Sequence, residues 1–206
     1  MSTPEHAQFY LITPPSFDLA VFSDQLAQVL DAHDIACVRL AQTTTDALIL
    51  GKSADALREV CHAREVAIVI DTHHSFIETH GLDGVHLPDG SRQLRDLRKQ
   101  FGEDAILGSY CGTTKHTGMT AGEMGADYVS FGPIGQSALG DGQTAAFETF
   151  EWWSQMVEVP VVAEGQITLD AAEKLAQVVD FFALGDEVWS TDDPAKTVQD
   201  YLSRIS

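Results

Sequence analysis

The feature that most constrains this chain is a rhythm: short apolar runs alternate with longer amphipathic stretches, eight times over. The apolar runs fall at 9–13, 35–40, 66–70, 83–87, 105–109, 128–131, 159–163 and 181–184. Run 66–70, Val-Ala-Ile-Val-Ile, is unbroken, the pattern of a strand buried on both faces. Stretch 18–33 carries Leu19, Phe22, Leu26, Val29 and Leu30 at spacings of three and four, the period of a helix. Further helices are expected at 45–63 with a break near Gly51, 72–79, 91–101, 117–124, 147–156, 169–178 and 194–205. Pro194 after Asp192 and Asp193 suits a first helical position. Strands that alternate with helices pair in parallel. Eight such units predict an α/β fold, a closed (β/α)8 TIM barrel, with the whole of 1–206 as one barrel domain. The alternative is an open doubly wound sheet. No G-x-G-x-x-G follows the first strand, which counts against a dinucleotide site.

Composition narrows the partners. Asp and Glu number 31 against 12 Lys and Arg, a formal charge of −19. A field of that sign repels phosphate backbones and anionic membranes, so neither nucleic acid nor a membrane surface is expected as a partner. The three cysteines, Cys37, Cys61 and Cys111, form no C-x-x-C pair and point to free thiols in a reducing compartment. No apolar run reaches the roughly 18 residues that span a bilayer. A cytoplasmic location is therefore expected.

In such a barrel the chemistry sits at the C-terminal strand ends. Those ends offer Arg39, Asp71, His73, His74, His86, Asp89, Ser109, Cys111, Lys115, His116, Ser137, Glu164, Gly165, Gln166, Gly185, Asp186 and Glu187. Cations are scarce: only Arg39 and Lys115 lie near a strand's C-terminal end, and Arg92, Arg95, Arg98 and Lys99 read as a solvated helix face. Asp71 suits either a metal or the N-cap of the third helix. Glu164, flanked by apolar residues, is a candidate general acid or base. His86 is expected to pack between strand and helix, and Trp152–Trp153 to pack the sixth helix onto the barrel or onto a neighbouring subunit.

Several segments resemble a known family. They are Phe9-Tyr10-Leu11-Ile12-Thr13, Asp83-Gly84-Val85-His86-Leu87, Gly125-Ala126-Asp127-Tyr128-Val129-Ser130-Phe131-Gly132-Pro133-Ile134 and Val159-Pro160-Val161-Val162-Ala163-Glu164-Gly165-Gln166-Ile167. In that order they are similar to thiamine phosphate synthase and its thiazole tautomerase relatives, over nearly the whole chain. The resemblance implies a (β/α)8 barrel, usually a homo-oligomer, that joins a hydroxymethylpyrimidine diphosphate to a thiazole phosphate with the help of Mg2+ and releases pyrophosphate. It implies phosphorylated small molecules as substrates. By position it implies Asp71 and Asp89 as metal ligands, with Ser91 an alternative to Asp89. Arg39, Ser109 and Lys115 are then the catalytic candidates, with Ser109 on the diphosphate. Ser137, Gly165, Gln166 and Gly185 are implied at the thiazole phosphate.

The chain also departs from the family pattern. The Lys of the family's Gln-x-Arg-x-Lys is absent after Arg39, as is the Lys that follows Gly-Pro-Ile. Gln166 replaces a glycine of the phosphate turn, and Asp186 and Glu187 bring negative charge beside it. The alternative reading is a relative that has lost transferase activity and binds a thiazole, a thiamine-related ligand or a protein partner.

Overall fold

The structure, a computed structural model, describes residues 7–89 and 92–205. Eight parallel strands close into a barrel in sequence order. They are β1 (Gln8–Ile12), β2 (Ile35–Leu40), β3 (Ala67–Asp71), β4 (Gly84–Leu87), β5 (Ile106–Tyr110), β6 (Tyr128–Phe131), β7 (Val161–Glu164) and β8 (Phe181–Leu184). The last strand returns to the first, with Gln8 opposite Phe181 and Leu11 opposite Leu184. The closed barrel settles the choice against an open sheet.

Nine helices are described: α1 (Leu19–Ala32), α2 (Ala47–His62), α3 (Phe76–His80), α4 (Leu94–Phe101), α5 (Lys115–Glu123), α6 (Phe147–Met156), α7 (Leu169–Leu175), α8 (Asp186–Trp189) and α9 (Pro194–Ile205). Where a capping side chain is available, the helix begins at it: Asp18 accepts from the Val21 N–H and Thr168 from the Ala171 N–H. Helix α2 runs unbroken through Gly51, whose bare face lies against the His80 ring. Helix α3 starts later than expected. Thr72 takes a positive φ of 60° and His73 and His74 bond back into a turn, so the cap position falls on Ser75 and not on Asp71. The four-residue α8 is too short to leave a periodic signature.

Alternation along each strand sorts the side chains. Phe9, Leu11, Val38, Leu40, Ile68, Ile70, Leu107, Val129, Phe131 and Phe182 face the helices in one large core. Tyr10, Val69, Tyr128, Val162 and Ala183 fill the barrel, with Ile12, Cys37, Ile106 and Phe181 beside them. A side chain at Gly108 would collide with the Tyr128 ring, so the glycine makes room for that tyrosine. Trp153 is fully buried and packs edge-on against Phe131, fixing α6 on the barrel as expected.

Three aspartates clamp the bottom of the barrel. Each immediately precedes an even-numbered strand, and its carboxylate accepts a backbone N–H from the neighbouring odd-numbered one. Asp83 takes Ile68, Asp127 takes Leu107 and Asp180 takes Val161, at 2.7, 2.7 and 2.8 Å. Asp127 also receives Arg98 at 2.5 Å, and Arg98 donates to the carbonyls of Gly102, Ala105 and Gly125. Arg98 is therefore not part of a solvated face: it ties α4 to the β5 and β6 edges.

Candidate functional site

The inward positions nearest the C-terminal mouth carry the polar residues. Strand β2 turns Arg39 into the barrel, β3 turns Asp71, β6 turns Ser130 and β7 turns Glu164. Arg39 Nη2 donates to Glu164 Oε2 at 2.9 Å, and Ser130 donates to Glu164 Oε1 at 3.0 Å. Arg39 Nε lies 3.4 Å from Asp71 Oδ1, too poorly directed for a hydrogen bond. Arg39 is 7 % exposed and Glu164 1 %. The Glu164 carboxylate is thus held at both oxygens as an acceptor. Burial opposes the charge on Arg39, but attraction from Glu164 and then Asp71 outweighs it and holds the guanidinium protonated. The Asp71 pKa is raised from its ordinary value, chiefly by burial and further by Glu164, against the pull of Arg39 and His73.

Three polar atoms in this group are buried with no hydrogen-bond partner: Arg39 Nη1, Arg39 Nε and Asp71 Oδ1. Unpartnered buried groups are costly, and they concentrate at sites that await a ligand. A cationic donor and a carboxylate oxygen side by side suit an anion and a metal.

Below Arg39 the lumen is closed by aromatic groups. The Arg39 guanidinium lies 5.7 Å from the centre of the Tyr10 ring. The hydroxyls of Tyr10 and Tyr128 share a 2.8 Å hydrogen bond, and Tyr128 is 3.0 Å from His86 Nδ1. His86 stacks on Tyr128 inside the barrel rather than packing between strand and helix. Burial, then Arg39, pushes the His86 pKa well down, and burial pushes both tyrosines up. All three side chains are therefore neutral near pH 7.

Toward the mouth, Arg39, Glu164, Ser137, Gly165, Gln166 and Gly185 line one cavity, with Asp186 and Glu187 at its edge. Gly165 has a φ of 88°, and a side chain there would meet Pro133 and Leu139. Gln166 keeps a left-handed φ of 54°, so the loop holds the backbone path of a glycine turn despite the replacement. The Ser137 hydroxyl accepts from the Leu139 N–H. Glu187 reaches between two loops: Oε1 accepts the Ile167 N–H at 2.8 Å and Oε2 the Gly185 N–H at 2.9 Å.

The structure thus gathers Arg39, Asp71, Ser137, Gly165, Gln166 and Gly185 around the mouth. It does not gather three other expected residues. Ser109 is 1 % exposed and, next to inward Gly108, belongs to the layer outside the barrel, where the Cys111 thiol donates to it. Tyr110 is the inward residue at that strand end, and its hydroxyl donates to the Gly132 carbonyl at 2.7 Å. Lys115 opens α5 with its ammonium 5.0 Å from the centre of the Trp152 ring, engaged between α5 and α6. Asp89 is exposed on the turn after β4 and lines neither the mouth cavity nor the one beside Asp71. Ser91 lies outside the described residues. Sequence reasoning had no link between Arg39 and Glu164, 125 positions apart, and missed Ser130, whose inward direction follows from Tyr128 two residues earlier.

No group of three or more His, Cys, Asp or Glu side chains that could hold a metal is present among the described residues. Likewise no described helix is long and apolar enough to cross a membrane.

The family model described as thiamine monophosphate synthase matches residues 9–188. A thiamine-phosphate synthase of Rhodospirillum centenum is 40% identical over 198 residues, covering 94% of this chain and 95% of the relative. Another from Erythrobacter litoralis is 34% identical over 205 residues, covering 97% and 95%. Among solved structures, a thiamine phosphate pyrophosphorylase from Pyrococcus furiosus superposes with a TM-score of 0.83 at 18% identity, covering 96% of this chain and 95% of that one. At that identity the superposition speaks for the fold alone.

Proposed function

The chain belongs to the thiamine monophosphate synthase family, and from that premise we propose that it joins a hydroxymethylpyrimidine diphosphate to a thiazole phosphate with release of pyrophosphate, in thiamine biosynthesis. In that reaction the bond between the pyrimidine methylene and the diphosphate oxygen breaks, and the oxygen keeps the electron pair. The thiazole ring nitrogen supplies the pair for the new carbon–nitrogen bond. The protein's main task is to stabilise the charge that leaves and to orient the two rings.

The observation that carries the reading is Arg39. It is a buried cation at the mouth, fixed through Nη2 by Glu164 and paired at 3.4 Å with Asp71, with neither Nη1 nor Nε spent on a hydrogen bond. In this reading those two groups donate to diphosphate oxygens, in a site where the low dielectric strengthens each contact. Ser137, Gly165, Gln166 and Gly185 form the wall on which the thiazole phosphate is expected to rest. Ser109 and Lys115 take no part in this reading, for the positional reasons given above.

Magnesium fits the donor set. Mg2+ commonly takes one or two protein carboxylates and completes its shell with substrate phosphates and water. Asp71 offers a buried oxygen with no hydrogen-bond partner, whereas Asp89, exposed on the turn after β4, is left out of the donor set. When bound, the ion would neutralise charge on the diphosphate.

The test is turnover of the two phosphorylated substrates with Mg2+ by the wild-type protein and by Arg39→Gln and Asp71→Asn. Each variant is expected to lose on the order of a hundredfold or more in kcat/KM. A folded wild-type protein that releases no pyrophosphate would overturn the reading.

A further inference from the structure

Glu187 lines the mouth cavity and accepts two amides from adjacent loops, Ile167 N–H at 2.8 Å after β7 and Gly185 N–H at 2.9 Å after β8. In barrels of this architecture the loops after strands seven and eight are a frequent place for a substrate phosphate. Backbone N–H groups that receive a phosphoryl oxygen and those that receive a carboxylate oxygen do so by the same charge-assisted hydrogen bond. Glu187 therefore stands as an internal anion on donors that a phosphate would use. The rest of the cavity does not favour a second anion. Glu164, Asp186 and Glu187 line it, against Arg39 as the one Lys or Arg among its lining residues, and Arg39 already gives Nη2 to Glu164.

We propose that Glu187 is a specificity-determining residue that competes with the acceptor's phosphate for the Ile167 and Gly185 amides, so that the phosphate binds only by displacing the carboxylate. The inference rests on the acceptor being phosphorylated, as in the reading above. Removing the carboxylate frees both donors and one negative charge, and so strengthens phosphate binding. A purely structural tie between the loops predicts the opposite: substitution loosens the loops and phosphate affinity stays flat or falls.

The experiment is calorimetric titration of wild type, Glu187→Ala and Glu187→Gln with inorganic phosphate and with the thiazole phosphate, alongside thermal melts and turnover. Glu187→Ala is expected to lower the Kd for both ligands at least about tenfold, since a like charge within a few ångströms is removed. Glu187→Gln keeps an acceptor oxygen for one amide without the charge, and a smaller gain is expected. If Glu187→Ala fails to fold, Glu187→Gln decides. Folded variants with unchanged or weaker phosphate affinity overturn the proposal. Tighter inorganic phosphate binding without turnover in any variant leaves the proposal standing and overturns only the synthase reading.

Discussion

Replacing Glu164 by Gln leaves Arg39 charged inside the barrel without its principal counter-charge. Breaking a buried pair from one side costs about 3–5 kcal/mol, and urea unfolding of Glu164→Gln should show a loss in that range. A loss below about 1 kcal/mol, the scale of exposed pairs, would mean that water already screens Arg39. His86 gives a second expectation. Its folded pKa lies well below the ordinary value of 6.5, so between those two values the unfolded chain binds a proton that the native chain refuses. The stability this contributes is complete above pH 6.5 and is lost as pH falls below it, at up to about 1.4 kcal/mol per pH unit. Urea midpoints followed from pH 7 to pH 5 should fall, and His86→Asn should flatten the slope by about one proton. Single positions also show where the sequence was readable. Arg39, Asp71 and Gly165 could be placed at the mouth because each closes or follows an apolar run. Ser109 could not, since a shift of one residue along a strand exchanges the two faces, and only the collision at Gly108 fixes which face is inward. The role of Glu187 was hidden because Ile167 and Gly185 meet only once β7 and β8 are paired.

Elements were easier to read than their ends. Strands β2, β6 and β8 coincide with the apolar runs at 35–40, 128–131 and 181–184. The late start of α3 was invisible, because it depends on the turn that Thr72 makes after Asp71. The motif residues Asp83 and Asp127, which help to carry the family resemblance, work at the barrel's bottom and not in its mouth. Each satisfies the N–H of a neighbouring strand that would otherwise lack a partner inside the protein. Asp83→Ala and Asp127→Ala should each lower the unfolding free energy by roughly 1–3 kcal/mol. Both should leave the KM for either substrate unchanged, because the mouth lies at the opposite strand ends. A changed KM with unchanged stability would contradict this assignment.

At the scale of the whole molecule, the formal charge of −19 acts against the compact state. Raising salt from about 10 mM to about 150 mM shortens the screening length from about 30 Å to about 8 Å. The Tm should therefore rise over that interval, by an amount that saturates at higher salt. A flat Tm would mean that local pairs such as Arg64 with Asp31 and Arg204 with Asp170 already balance the surface. The closed eight-strand barrel was legible from the count of alternating units alone, since eight parallel strands with intervening helices leave few other arrangements.

The aspartate clamps give that barrel a grain of two strands. Each joins an odd strand to the even strand that follows, so the pairs β3–β4, β5–β6 and β7–β8 are bound internally, while among the described residues the seams between pairs carry no such aspartate clamp. A chain divided after α4, into 1–102 and 103–206, keeps each of the three aspartate clamps within one fragment, though it parts Arg98 from Ala105, Gly125 and Asp127. A chain divided between β5 and β6 parts Leu107 from Asp127. Co-expressed halves of the first kind should reassemble a native barrel more readily than halves of the second, which makes the seam after α4 the place to split this protein for complementation.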